Sequence, residues 1–191
     1  MSKIADRLAV GAAVVAGGPS EKAVVKATRT DFDAPKEKHV RAIILSTNNG
    51  GVSMRELVGA IMFRLENPNW NVVLKCLMLT HRVLKDGNTR FIDELKYRPK
   101  VFQLDRFNDV ATHEGIQNSA FVRKYAQYLE EIVNVYKALK MDFTKRPNAC
   151  KNLSVDDMFV KLPKLQSLIN ALLNTRVQRA DLHNPLIMNA F

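Results

Sequence analysis

Four cationic side chains flank a short polar segment near the start of the chain. Lys26 precedes this segment, and Lys36, Lys38 and His39 follow it. Pro35 suits the first turn of a helix, because its φ is fixed and its missing N–H is not needed there. A helix start presents unpaired backbone N–H groups and the positive end of the helix dipole. Cationic side chains around such a start predict a binding site for a multiply charged anion.

The alternative interpretation of this cluster is an ordinary solvated helix start. Lys36 and His39 share a helix face, whereas Lys38 is rotated away from it, so a helix body would disperse their charges. At a helix tip, long side chains can converge beyond the end. The order of the residues is also specific: Lys-Ala-Thr at 26–28, six residues, then Pro-Lys-x-Lys-His at 35–39.

This pattern resembles the phosphoinositide-binding signature of the ANTH domain, the membrane module of the clathrin assembly proteins. Other parts of the chain are similar to the same family in order and spacing. They are residues 70–75 (WNVVLK), 87–92 (GNTRFI), 121–129 (FVRKYAQYL) and 142–145 (DFTK). The resemblance covers nearly the whole chain.

The resemblance implies that Lys26, Lys36 and Lys38 neutralise phosphates of phosphatidylinositol 4,5-bisphosphate and that His39 donates a hydrogen bond to one. Glu37 stands at the unrestricted position of the motif, where some relatives carry a further lysine, so we expect it to lower the local charge. The resemblance also implies clathrin and adaptor binding through a tail and SNARE binding through later helices, both outside this chain. The implied location is the cytosolic face of coated pits and vesicles.

Composition supports an anionic partner without identifying it. The 191 residues carry a formal net charge of +10, which favours nucleic acid, anionic membrane or acidic protein. Residues 120–191 hold eleven Lys/Arg against six Asp/Glu, so a basic helical nucleic-acid binder is one alternative, although no nucleic-acid fold signature is present. An epsin-like ENTH domain, which would insert a leading helix into the membrane, is the other.

Catalytic and metal-binding patterns are lacking in the sequence. The four histidines are widely separated, and no Cys/His pair has metal-ligand spacing. No glycine-rich phosphate loop follows a strand. We therefore predict a protein that is not an enzyme and has no metal or cofactor. His81 is interpreted as a hydrogen-bonded core histidine, Tyr125 and Tyr128 as core packing, and Cys76 as a small buried hydrophobe in a cytosolic protein.

Residues 1–18 form a separate leading segment, and residues 19–191 form the domain. Ile4, Leu8 and Val15 recur at helical spacing, which fits either a membrane-surface helix that contacts lipid or a docked N-terminal helix. Gly17 and Gly18 with the following proline end this pattern. No stretch approaches the roughly 20 apolar residues that a membrane span needs.

No segment alternates with period two, so the predicted fold is all-α, and short-looped helices with broad apolar faces suit an α-solenoid. The family resemblance implies a right-handed superhelix. The remaining expectations concern individual elements: a buried helix after Asn69, irregular structure over 97–116, a long helix over 118–140, and a helix after Ser154 that Pro163 kinks or interrupts. The apolar helix from Pro185 is expected to lack a packing partner, as in a domain cut inside a later helix.

Overall fold

A computed structural model describes residues 18–142, 145, 153–177 and 184–190, and all regular structure among them is helical. Each helix packs mainly on helices near it in the sequence, as in an α-solenoid, so the all-α prediction is confirmed. The helices are α1 (Pro19–Ala27), α2 (Glu37–Asn48), α3 (Met54–Leu65), α4 (Trp70–Asp86), α5 (Thr89–Lys96), α6 (His113–Leu139), α7 (Val155–Leu173) and α8 (Pro185–Met188).

Helix α4 is the centre of the domain, as the sequence predicts. Every residue from Trp70 to Thr80 is buried, and the helix packs against α1, α2, α3, α5 and α6. Its start is capped by Asn69, whose side-chain oxygen accepts hydrogen bonds from the N–H groups of Asn71 and Val72. A helix buried on all sides in this way organises the elements around it.

Three further predicted helix starts are also capped by side chains. Ser53, Asn88 and Ser154 each accept a hydrogen bond from a backbone N–H in the first turn of α3, α5 and α7. Gly87 ends α4 with an ordinary negative φ of −82°. A Cβ there would lie 2.5 Å from the carbonyl oxygen of Val83, so close packing, and not a left-handed conformation, requires glycine.

Two predicted helix starts are wrong by a few residues. Lys36 has extended backbone angles and is the N-cap of α2, so the helix begins at Glu37 and Pro35 lies before it. Helix α6 begins at His113, because the Thr112 hydroxyl accepts from the N–H of Gly115 at 2.9 Å. The last four residues of the stretch expected to be irregular, 113–116, are therefore helical, whereas residues 97–112 are irregular as expected.

Pro163 does not interrupt its helix, so of the two expected effects only a kink stays a prediction. Helix α7 continues through it from Val155 to Leu173. Pro163 has no N–H for the carbonyl of Phe159, but both residues are exposed, so water can satisfy that carbonyl. The helix packs on α6, where Ser167 donates to Glu131 at 2.6 Å.

Helix α8 does have a packing partner, contrary to expectation. Leu186 and Ile187 are fully buried and belong to the main hydrophobic core. Asn184 caps this short helix by accepting from the N–H groups of both residues. The hydroxyl of Tyr125 on α6 lies 3.5 Å from the carbonyl oxygen of Ala190. The apolar pattern after Pro185 thus contributes to the same core as α4.

Candidate functional site: a cationic cluster at the start of α2

The four predicted site residues lie at the junction of α1 and α2. Lys26 is exposed in the last turn of α1, and Lys36 and Lys38 are exposed at the start of α2. His39 beside them is partly buried. Its pKa lies below 6.5 because of burial, and because the charges of Lys38, Lys26 and Lys36 oppose its protonation. The structure therefore brings all four groups into one electrostatic neighbourhood.

The start of α2 leaves backbone donors available beside these side chains. Lys36 at the N-cap provides no side-chain acceptor for the first turn. The first backbone hydrogen bonds of this helix run from the N–H groups of His39 and Val40 to the carbonyl of Lys36. The N–H groups of Glu37 and Lys38 come earlier in the chain, where a helix supplies no carbonyl acceptor for them. This arrangement suits a phosphate group, which accepts several hydrogen bonds at once.

Glu37 does not act as an isolated negative charge within the cluster. Its carboxylate accepts from Arg41 at 3.0 Å and from Arg82 of α4 at 3.3 Å. These two hydrogen bonds hold the pKa of Glu37 below its usual value. Arg82 also donates to Asp86 at 3.0 Å. The charge of Glu37 is therefore offset locally, and the residue ties the start of α2 to α4.

Two buried cations hold the segment between Lys26 and Lys36. Lys75 of α4 donates to the backbone of Arg29 and to Asp31, and Arg64 of α3 donates to Thr28. The sequence pattern predicts no role for either cation. The available signal was the presence of Lys75 within an otherwise apolar run, but its acceptors could not be read from the sequence.

His81 is hydrogen-bonded, as predicted, but only half-buried. Its Nδ1 lies 2.8 Å from the hydroxyl of Tyr125, and its ring meets that of Tyr128 edge-on at 5.6 Å. Burial lowers the pKa of His81, and the charge of Lys85 lowers it further. The ring lines a cavity of about 230 Å³ beside Arg82 and Lys85. Tyr125 is buried, and Tyr128 is partly buried.

Cys76 is a small buried residue, as the sequence predicts. It is fully buried, which raises the pKa of its thiol to about 12.

The proposed membrane contacts Ile4, Leu8 and Val15 lie outside the described residues. Within the described part of the chain, no three His, Cys, Asp or Glu side chains form a group that could hold a metal ion. In the same part, no helix is both long and apolar enough to span a bilayer.

The described residues thus form an all-helical domain with three lysines and a histidine around the start of one helix. Comparison with known proteins identifies the family: the sequence matches the ANTH domain over residues 20–191. The chain is 32% identical to the human phosphatidylinositol-binding clathrin assembly protein over 192 residues, covering 98% of this chain and 29% of the relative. The chain belongs to the ANTH domain family.

Further relatives show the same coverage of this chain. It is 32% identical to the human clathrin coat assembly protein AP180 over 192 residues, which covers 98% of this chain and 21% of that protein. It is 33% identical over 204 residues to the phosphatidylinositol-binding clathrin assembly protein LAP of Drosophila melanogaster, with coverages of 98% and 44%. The chain thus spans less than half the length of each of these relatives.

Proposed function

We propose that this domain is a phosphoinositide-binding membrane adaptor module and not an enzyme. The observation that carries the proposal is the grouping of Lys26, Lys36, Lys38 and His39 around the open start of α2. Three ammonium groups, an imidazole and backbone N–H groups suit a ligand with several phosphates. The names of two relatives, which describe phosphatidylinositol binding, support a lipid as that ligand.

The proposed lipid is phosphatidylinositol 4,5-bisphosphate, whose two adjacent ring phosphates require several cations in one place. Lys26, Lys36 and Lys38 would neutralise these phosphates, and His39 would donate to one of them. Bound in this way, the domain would lie on the cytosolic face of a membrane at clathrin-coated pits and vesicles. Clathrin, adaptors and SNARE cargo are proposed partners of parts of the protein beyond this chain, since the relatives are clathrin assembly proteins.

The decisive experiment measures binding to vesicles with and without this lipid. The double variant Lys36→Glu/Lys38→Glu should bind at least about 100-fold more weakly, because each charge-assisted hydrogen bond contributes about 1.5–3 kcal/mol. Both lysines are exposed, so the fold should be retained. Circular dichroism and thermal denaturation check that retention.

The matched control is Lys124→Glu/Lys164→Glu, which makes the same change in net charge at exposed lysines of α6 and α7. It should bind nearly as tightly as the natural chain. Equal losses in both double variants would mean that net charge, and not this cluster, carries binding. A random DNA duplex at the same salt concentration is the second arm. Tight duplex binding without vesicle binding would replace the lipid proposal with the nucleic-acid alternative.

A further inference from the structure

Lys75 is a buried cation whose acceptors, among the residues that the structure describes, come from one short segment. Its side chain is 1% exposed, and its ammonium group donates to the carbonyl oxygen of Arg29 at 2.9 Å. It also donates to the carbonyl oxygen and the carboxylate of Asp31. A buried ammonium group is tolerated only when it is paired and hydrogen-bonded. The hydrogen bonds of Lys75 to Arg29 and Asp31 therefore tie the segment after α1 to the central helix α4.

Arg64 holds the same segment from a second helix. It is 2% exposed, and its Nε donates to the hydroxyl of Thr28 at 2.9 Å. A second guanidinium nitrogen donates to the carbonyl oxygen of Thr28. The Thr28 hydroxyl in turn donates to the carbonyl of Val24 in α1 at 2.8 Å. The first residue after α1 is therefore fixed to both α1 and α3.

An aromatic contact completes the attachment. The ring of Phe32 lies 6.5 Å from that of Trp70, at an angle of 60°. Thr28, Arg29, Asp31 and Phe32 are thus each anchored to a neighbouring element by a side-chain or backbone contact. Together they form the connection between the two halves of the cationic cluster.

We propose that Lys75, assisted by Arg64, is a positioning residue for the headgroup site, an inference that rests on the proposed function. It sets the placement of Lys26 relative to Lys36, Lys38 and His39 without contacting the lipid itself. A ligand that needs all four groups binds only the arrangement in which they are together. The observed dissociation constant is the intrinsic one divided by the population of that arrangement. Loss of the Lys75 hydrogen bonds lowers this population and therefore the affinity.

The test compares Lys75→Met with the natural chain on vesicles containing phosphatidylinositol 4,5-bisphosphate. Methionine keeps the apolar stem but removes the ammonium group that donates to Arg29 and Asp31. We expect at least about tenfold weaker binding, which corresponds to a competent population near one tenth. The salt dependence of binding should stay unchanged, because the cations that face the phosphates are still present. Lys36→Gln should instead reduce that salt dependence.

Hydrogen exchange gives an independent measurement without any lipid. The amide of Thr28, whose N–H donates to the carbonyl of Val24 at 3.0 Å, should exchange faster in Lys75→Met, because local opening of the segment becomes easier. The matched control is Leu95→Ala, which creates a cavity at a fully buried position of α5, a helix that packs on α3, α4 and α6. At a temperature where it is fully folded, this control should bind like the natural chain.

A milder variant covers the case in which Lys75→Met does not fold. Thr28→Val is nearly isosteric and removes the hydroxyl acceptor of Arg64, so it should weaken binding in the same direction. Unchanged affinity in the folded Lys75→Met variant, or in Thr28→Val if the former fails to fold, overturns the positioning role. Lack of vesicle binding by the natural chain overturns the proposed function itself. Equal weakening by Leu95→Ala shows general destabilisation and also overturns the positioning role.

Discussion

His39 differs from the three lysines of the cluster because its charge can change near neutral pH. Burial and the neighbouring lysines hold the pKa of the free protein's His39 below 6.5, so the imidazole is mainly neutral at pH 7. A phosphate bound at the proposed site would favour the charged form and raise that pKa. Binding would then take up a proton, which would make affinity depend on pH.

We expect vesicle affinity to rise as the pH falls from 8 to 6, because the bound state holds the proton more tightly than the free state. The rise should end once the pH lies below the lowered pKa of the free protein. In His39→Gln this component of the pH dependence should be absent, although the lysines still bind. Vesicle titrations of both proteins at pH 6 and pH 8 provide the measurement. Identical pH dependence in the two proteins would show that His39 acts only as a neutral donor or a packing residue.

The neighbours of Glu37 change the effect on anion binding that the sequence predicts for this residue. From the sequence, an acid inside a basic motif is expected to weaken an anion site. In the structure, Arg41 and Arg82 hold its carboxylate, so the site does not face an unpaired negative charge there. The same contacts connect the motif to α4.

Among the elements, α4 and α6 are joined at their starts by the buried side chain of Asp109. Its carboxylate accepts from the N–H of Trp70 at 3.0 Å and from that of Ala111 at 3.0 Å. The N–H of Asp109 donates to the hydroxyl of Ser119, which donates to the carbonyl of Gly115. A Cβ at Gly115 would lie 2.6 Å from the Asp109 carboxyl carbon, so glycine leaves room for this link.

Asp109→Ala should lower the free energy of unfolding by about 2–4 kcal/mol, because the buried N–H of Trp70 and the N–H of Ala111 both lose a charged acceptor. Chemical denaturation followed by circular dichroism measures the change. Asp105→Ala is the matched control, since Asp105 is exposed and accepts only from the side chain of Gln127 among the described residues. A loss for Asp109→Ala no larger than that of the control would contradict the structural role of this link.

At the scale of the whole molecule, a net charge of +10 favours approach to anionic surfaces, while the cluster at α2 is proposed to select the headgroup. The leading segment, residues 1–18, is a proposed second contact with the membrane. Ile4, Leu8 and Val15 would form its apolar face, as in helices that lie in the plane of the membrane surface.

If the leading segment contacts lipid, the full chain should gain helical signal on acidic vesicles, and a chain that starts at residue 19 should not. Circular dichroism of both chains, with and without vesicles, tests this. The shortened chain should bind more weakly but keep its dependence on Lys36 and Lys38. An equal change of signal in the two chains would favour the alternative, in which the segment docks on the domain.

Much of the fold could be predicted from the sequence because its determinants are local. Helical spacing of apolar residues and side-chain caps at Ser53, Asn69, Asn88 and Ser154 depend on neighbours a few residues away. The same is true of the cationic motif, whose members lie within fourteen residues. Family resemblance added the fold type and the expected ligand, and the family assignment is confirmed over residues 20–191.

Tertiary structure decided where charged residues find their partners. The acceptors of Lys75 are 44 and 46 residues away in the chain, and those of Arg64 are 36 residues away. No local pattern encodes such distances, because they depend on how α1, α3 and α4 pack. The sequence by itself determined that cations flank the segment between Lys26 and Lys36, because these residues are close together in the chain. Only the packed domain placed two buried cations beneath that segment, since a charge enters a core only where folding supplies its acceptors.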